Sequence, residues 1–249
     1  MKIKLYTKGH DEASLKEIGS CDEQFTAATH AHIVEREFEK YFKTKESLIQ
    51  WYLAQSLNSD KLLALAFLIQ HCNENEYKNV LSLGAGPCVL EYLLKCALPD
   101  DARVVATDFD SFYIKKAKLH FPSIIPVEFD FFKDNPSDLQ KLKIDFDITV
   151  FFGSSYVMND SDFIRQFSGL KEIGVKKIID FQAGYIPWKR FPTVILSEVI
   201  AKINPRRYRG KFHGYGRSRG ELRRLYKLAG LELIQEIPVA PYGYVAILK

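Results

Sequence analysis

Hydrophobic positions along the chain follow two different rhythms, and the change falls near residue 79. Before that point apolar residues recur at intervals of three and four, which predicts helices over about residues 46–56 and from about residue 60 onward. We therefore predict that the first 75 residues form a helical extension. After residue 79, short apolar runs alternate with amphipathic stretches, which is the pattern of strands that are each followed by a helix.

Five strand–helix units and a closing pair of strands are predicted in this second part. The predicted strands are 80–83, 103–107, 124–129, 146–152, 176–181, 231–239 and 243–248. The predicted helices are one with Pro87 in its first turn, then 111–120, 136–142, 161–170, 193–203 and 218–229. This alternation favours a parallel sheet covered on both faces, and the short final connection favours an antiparallel last strand. The predicted fold class is α/β, a doubly wound, Rossmann-like sheet of seven strands with an antiparallel last strand. It forms a domain at 76–249, after the helical extension at 1–75.

Composition and charge are those of an ordinary globular protein. The 249 residues are 47% hydrophobic and 27% charged, with a formal net charge of +4. No apolar stretch approaches the length of a membrane span or a signal peptide, so we expect a cytoplasmic protein. The four cysteines show no metal-like spacing, which favours reduced thiols and no metal site.

Small and acidic residues stand at the ends of three consecutive predicted strands. Gly84, Ala85 and Gly86 follow the first strand, Asp108 follows the second and Asp130 follows the third. Glycine lets a ligand approach the backbone, and a carboxylate after the second strand can accept hydrogen bonds from a ribose diol. Each feature alone is as commonly a plain turn or a cap, but the carboxyl ends of parallel strands share one edge of the sheet.

From about residue 78 to 249 these residues resemble the class I S-adenosylmethionine-dependent methyltransferases. The resemblance implies that the glycine turn holds the methionine part of S-adenosylmethionine, that Asp108 binds ribose and that Asp130 binds adenine. The implied cofactor-binding residues are Gly84, Ala85, Gly86, Asp108, Phe109, Asp130, Phe131, Gly153 and Ser154. This chain departs from the family pattern twice: Ser82 stands where an acid is usual, and Cys88 where the third glycine is usual. A dinucleotide oxidoreductase is the weaker alternative, because Val89 stands where GxGxxG requires glycine.

Candidate catalytic and acceptor-binding residues follow the later strands. Methyl transfer from a sulfonium depends mainly on positioning, so the family has no universal catalytic residue. His213 is a candidate general base because its ordinary pKa lies near neutrality, and Tyr156 is a second catalytic candidate. A surface histidine and a packing aromatic are the alternatives for these two. The candidate substrate-binding residues are Tyr185, Trp188, Arg206, Arg207, Arg209 and Tyr215.

Segment 202–227 concentrates the positive charge of the chain. It contains ten Lys or Arg against one acid, a net charge of +9, so the remainder of the chain carries −5. Such a segment can attract a phosphate or carboxylate. The favoured function is a methyltransferase (EC 2.1.1.-) that acts on oxygen or nitrogen of a small or medium-sized polar acceptor, including an anionic one. The alternatives are a nucleic-acid (RNA) methyltransferase that uses this basic segment, and a non-catalytic cofactor-binding protein.

Overall fold

A computed structural model of the chain describes residues 2–6, 41–55, 57, 59–190, 192–193, 195–196, 212–237 and 243–249. Its strands are β1 (Lys2–Tyr6), β2 (Asn79–Leu83), β3 (Arg103–Asp108), β4 (Ile125–Glu128), β5 (Ile148–Phe152), β6 (Lys177–Phe181), β7 (Phe212–Arg217), β8 (Leu233–Ile237) and β9 (Val245–Leu248). Seven of them form one sheet in the order β4-β3-β2-β5-β6-β9-β8. Neighbours from β4 to β6 run parallel, whereas β9 runs antiparallel to both β6 and β8. The predicted seven-stranded sheet with an antiparallel last strand is therefore confirmed.

Both faces of this sheet are covered, as the apolar strands require. Successive residues of a strand point to opposite faces. Val80 and Val104 accordingly belong to one buried cluster, and Leu81 and Val105 belong to the other. The carboxyl ends of the parallel strands meet at one edge, where ligands bind in open α/β sheets.

The helices lie close to their predicted positions. They are α1 (Lys45–Gln55), α2 (Ser59–Glu74), α3 (Val89–Ala97), α4 (Ser111–His120), α5 (Asp160–Glu172) and α6 (Arg219–Leu228), with a 3₁₀ helix at Pro136–Leu142. The predicted helix at 193–203 falls mostly outside the described residues. Among the helices in the described ranges, none combines the length and apolarity that crossing a membrane needs.

The prediction that Pro87 lies in the first turn of a helix is wrong. Helix α3 begins at Val89, because Cys88 at its N-cap has left-handed backbone angles (φ 60°, ψ 21°) that cannot continue a right-handed helix. Pro87 therefore belongs to the turn between β2 and α3.

Helices α1 and α2 pack on the sheet through the first of the two clusters. Phe42, Leu48 and Leu68 from this part of the chain are buried together with Val80 and Leu94. A shared core of this kind brings α1 and α2 to the edge of the glycine turn. The domain boundary at residue 75 stays a prediction.

The prediction of an entirely helical first 75 residues is wrong at residues 2–6, which form a strand, and a further strand that was not predicted lies at 212–217. These segments form β1 and β7, which pair antiparallel in a separate two-stranded sheet. Gly216 makes the close approach possible, because a Cβ there would lie 2.9 Å from Cγ1 of Ile3 and 2.4 Å from Cδ1 of Ile186. The two strands are far apart in sequence, so local patterns alone do not reveal their pairing.

Candidate functional site

The turn after β2 is held against the end of β3 by its backbone. The carbonyl of Thr107 accepts hydrogen bonds from the amides of Gly84 (2.9 Å) and Ala85 (2.8 Å). Gly84 has a φ of +74°, and a Cβ there would stand 2.5 Å from Cβ of Ser154 and 2.8 Å from Cζ of Phe131. Glycine is required at position 84 both for its backbone angles and for this tight packing.

The space around Gly86 differs from the tightly packed space around Gly84. Its φ is +56°, but no atom of the described residues lies within 4 Å of the place that a Cβ would occupy. A side chain at this position would project into open space beside the turn. Glycine at 86 therefore keeps free a space that a ligand close to the backbone can use.

Cys88 stands at the position of the third glycine in the family pattern that the sequence resembles. Its φ of 60° is a left-handed conformation that favours glycine, and its side chain is fully buried. Burial raises the pKa of the thiol well above its ordinary value, which makes this cysteine an unreactive, space-filling residue. The turn thus retains the backbone geometry of a glycine at the cost of local strain.

Asp108 joins the glycine turn at the carboxyl end of β3. Its Oδ2 accepts a 2.7 Å hydrogen bond from the amide of Gly86, and its Oδ1 accepts one of 2.9 Å from the amide of Asp110. The residue is only 5% exposed. Asp110 in turn caps α4 by accepting from the amide of Phe112. The carboxylate is therefore held rigidly at the strand end where the sequence predicts a ribose-binding acid.

A cavity of about 640 Å³ opens beside the turn and this acid. Its volume lies within the range of small-molecule sites. Many of the residues predicted from the sequence meet here, namely Gly84, Ala85, Gly86, Asp108, Phe109, Phe131, Gly153, Ser154 and Tyr156. The sheet edge thus brings the ends of β2, β3 and β5 and the segment after β4 around one space.

Three other candidates lie elsewhere among the described residues. Asp130 is not part of the cavity lining, and its carboxylate accepts from the amide of Phe132 and pairs with Lys133 at 3.1 Å. Tyr185 stacks on Tyr244 with ring centroids 5.1 Å apart, outside the lining. Their proposed roles stay predictions.

Tyr215 is buried between two cations and is also outside the lining. Its ring lies 4.4 Å from Nζ of Lys2 and 5.1 Å from the guanidinium carbon of Arg217. The remaining candidates fall outside the described part of the structure. Arg206, Arg207 and Arg209 are not among the described residues, and neither are the side chains of His213 and Trp188. Their proposed roles also stay predictions.

Tyr156 fits into a space that two glycines leave open. A Cβ at Gly214 would lie 2.3 Å from the ring of Tyr156, and a Cβ at Gly184 would lie 2.8 Å from the Cβ of Tyr156. Burial raises the pKa of the Tyr156 hydroxyl to about 12. The hydroxyl is therefore protonated at neutral pH and suits a hydrogen-bond donor rather than a general base.

Glu91 is a cavity residue that the sequence analysis missed. It lies in the first turn of α3, is 1% exposed and lines the cavity. Its Oε1 accepts a 2.6 Å hydrogen bond from Oγ of Ser82, the residue that stands where the family usually has an acid. Burial is the main reason that its pKa is raised to about 7, and the nearby charge of Asp108 adds to the effect. A charged residue inside the apolar run 89–94 was the available signal.

A second buried network reaches the cavity through Gln182. The carboxylate of Asp180, in β6, accepts hydrogen bonds from Ser155 (2.6 Å), Tyr226 (2.6 Å) and Gln182 (2.5 Å). Burial raises the pKa of Asp180 despite these three donors. Gln182 lines the cavity, and its Oε1 has no hydrogen-bond partner among the described residues. The network fixes the amide of Gln182 at the cavity surface.

Helices α1 and α2 supply another side of the cavity. Trp51, Tyr52, Asp60, Lys61 and Ala64 all line it. Burial lowers the pKa of Lys61, and the charge of Glu91 partly offsets this effect. Burial raises the pKa of Tyr52, and the charge of Glu91 adds to that rise. The part of the chain before residue 79 therefore presents aromatic and charged groups to the same space as the glycine turn.

The described arginines of the basic segment are engaged by acids of the chain. Arg219 and Arg223 both pair with Glu236, whose pKa falls to about 2. Arg224 pairs with Glu221 at 2.7 Å. Arg217, fully buried, donates to the carbonyl of Met158 and pairs with Asp160 at 3.1 Å. These four arginines stabilise the fold around α6.

Comparison with known proteins identifies relatives of the fold. No protein-family model and no curated protein matches the sequence. Human N-acetylserotonin methyltransferase in complex with SAM is similar in structure, with a TM-score of 0.56 and 14% identity over 95% of this chain. A DhpI–SAM–HEP complex gives 0.57 and 17% over 84%, and the S-adenosylmethionine-dependent methyltransferase SibL in its apo form gives 0.58 and 14% over 94%.

The matches cover different shares of these three proteins. The matches cover 65% of the human enzyme, 94% of the DhpI chain and 64% of SibL. Because the identities are low, the likeness concerns the fold. The chain has the Rossmann-like fold of the class I S-adenosylmethionine-dependent methyltransferases.

Proposed function

We propose that this chain, which has the methyltransferase fold, binds S-adenosylmethionine in the cavity and transfers its methyl group to oxygen or nitrogen of a small or medium-sized polar acceptor. The observation that carries the proposal is the hydrogen bond between the amide of Gly86 and the carboxylate of Asp108, at the rim of a cavity of about 640 Å³. It joins the turn and the acid that such a cofactor would need at neighbouring strand ends.

The residues around the cavity fit this cofactor chemically. Asp108 presents a buried carboxylate suited to a ribose diol, and Phe109 and Phe131 offer aromatic surface for adenine. The open space beside Gly86 lets a ligand lie against the backbone of the turn. When bound, S-adenosylmethionine supplies an electrophilic methyl group on a sulfonium sulfur.

The contribution of the protein is to hold both partners and to exclude water. Trp51 and Tyr52 close the cavity from α1, and Tyr156 closes it from the segment after β5. With a pKa of about 12, Tyr156 orients an acceptor by donating a hydrogen bond rather than by removing a proton. His213 is the residue we propose as general base for an acceptor that must lose a proton.

A small acceptor is favoured over a nucleic acid by the state of the basic segment. Arg217, Arg219, Arg223 and Arg224 are paired with acids of this chain, so their charge is partly neutralised. The human neighbour is named for a small acceptor, N-acetylserotonin. We propose that Arg206, Arg207 and Arg209 contact an anionic acceptor. Neutralising these three should weaken acceptor binding and leave cofactor binding unchanged.

Titration calorimetry with S-adenosylmethionine, S-adenosylhomocysteine and NAD tests the cofactor assignment. We expect saturable binding of the first two and none of NAD. Binding of NAD alone would overturn the proposal in favour of an oxidoreductase. An acceptor screen with methyl-labelled S-adenosylmethionine then tests the activity, and tight binding without transfer to any acceptor class would favour a non-catalytic cofactor-binding protein.

A further inference from the structure

Glu91 is deeply buried, has an unsatisfied side-chain oxygen and belongs to the cavity lining. Its Oε1 is held by Ser82, whereas Oε2 has no hydrogen-bond partner among the described residues. A buried carboxylate oxygen without a hydrogen-bond partner is costly. Because Glu91 belongs to the cavity lining, a hydrogen-bond donor of a ligand is a candidate partner for this oxygen.

The groups that face Glu91 come from every element around it. They are Tyr52 from α1, Lys61 from α2, Asp108 from β3 and Cys88 at the start of α3. Lys61 favours the charged form of Glu91, and Asp108 opposes it. Lys61 and Glu91 both line the cavity, so this side presents a cation and an anion together. A zwitterionic ligand group matches that pattern.

We propose that Glu91 binds the ammonium group of the methionine part of S-adenosylmethionine, and so replaces the acid that the family usually carries two residues before the first glycine. The inference rests on the proposed function. Ser82 occupies the position of that acid, and its hydroxyl holds the Glu91 carboxylate beside it at 2.6 Å. The acid has moved from strand β2 to helix α3, and its charge still lies next to the glycine turn.

The test compares two ligands on the Glu91→Gln variant by titration calorimetry. S-adenosylhomocysteine carries the amino-acid group, and 5′-methylthioadenosine keeps the nucleoside but lacks that group. We expect the affinity for S-adenosylhomocysteine to fall about ten- to hundredfold, since hydrogen bonds to charged groups are the strong ones, and that for 5′-methylthioadenosine to stay the same. Equal loss for both ligands, or no loss for either, would overturn the proposal.

Failure of the proposed function has a different signature. In that case the unchanged protein binds neither S-adenosylhomocysteine nor 5′-methylthioadenosine, whatever stands at position 91. A Ser82→Asp/Glu91→Ser double variant is the matched control, because it returns the acid to β2 and keeps one hydroxyl. Recovery of S-adenosylhomocysteine binding relative to Glu91→Gln supports the proposal, and absence of recovery in a folded double variant contradicts it.

A measurement on the unchanged protein keeps the proposal testable even if the variants fail to fold. Glu91 has a pKa of about 7, so its carboxylate is progressively protonated below that pH. Between pH 7.5 and pH 5.5 the affinity for S-adenosylhomocysteine should therefore fall severalfold more than the affinity for 5′-methylthioadenosine. A constant ratio of the two affinities across this range would overturn the assignment.

Discussion

The amide of Gly86 donates a 2.7 Å hydrogen bond to Oδ2 of Asp108, across the gap between the ends of β2 and β3. A single carboxylate thus serves both the geometry of the turn and the cavity that the turn borders. Because Asp108 is buried, the loss of its charge affects ligand and turn together.

Asp108→Asn should weaken binding of S-adenosylmethionine by about 1–3 kcal/mol, because a buried hydrogen-bond partner is lost while the side-chain volume is kept. Titration calorimetry measures the change. Asp130→Asn in the same assay tests the adenine assignment, and we expect a smaller effect since Asp130 is outside the cavity lining. Full affinity in Asp108→Asn would contradict the ribose assignment.

Gly86→Ala should weaken ligand binding at a modest cost to stability. Its Cβ meets no atom in the described part of the chain but projects beside the turn, and the left-handed backbone costs alanine about 1 kcal/mol. Gly174→Ala is the matched control, because Gly174 has a φ of +85° and its Cβ would likewise meet no atom of the described residues within 4 Å. Urea denaturation should show similar losses for both variants, and calorimetry should show lost affinity only for Gly86→Ala. Equal affinities would mean that the ligand does not approach the turn.

Cys88→Gly should be more stable than Cys88→Ala by about 1 kcal/mol. Both variants lose the buried thiol, but only glycine relieves the left-handed backbone at φ 60°. Denaturant unfolding of the two variants measures the difference. A more stable alanine variant would show that position 88 is not strained, contrary to the structure.

Glu91→Gln should change how stability depends on pH. The pKa of this carboxyl rises from 4.5 to about 7 on folding, so between these values the folded protein holds the extra proton. Stability of the unchanged protein therefore falls as pH rises through this range, and the Gln variant lacks this contribution. Between pH 5 and pH 8 the free energy of unfolding should shift by about 2–3 kcal/mol in favour of the variant. Parallel pH profiles in urea denaturation would contradict this.

The strands of the sheet and the glycine turn were predictable because their signals are local. Apolar runs mark the strands, and parallel connections bring the carboxyl ends of β2 and β3, including Asp108, to one edge. The sequence showed that Cys88 stands where the family pattern has its third glycine, but it did not show that the backbone of Cys88 is left-handed.

Features that depend on contacts between residues far apart in the sequence could not be predicted. Glu91 interacts with Ser82 and Lys61 from other elements, and its position in an apolar run suggests burial but does not identify these partners. Arg217 belongs to the basic segment 202–227 but is fully buried beside Asp160. Whether a charged side chain is buried depends on partners that lie far away in the sequence, and a single sequence does not identify these partners.

The pairing of β1 with β7 has a consequence for the order in which the molecule is assembled. During synthesis residues 2–6 leave the ribosome about two hundred residues before their partners at 212–217. They cannot adopt their final place until most of the sheet exists, since contacts between remote residues form late. Gly214 of β7 packs directly on Tyr156, so this side of the cavity is complete only once β7 is in place. Ligand binding therefore depends on a pair of strands that can be joined only after residues 212–217 have been synthesised.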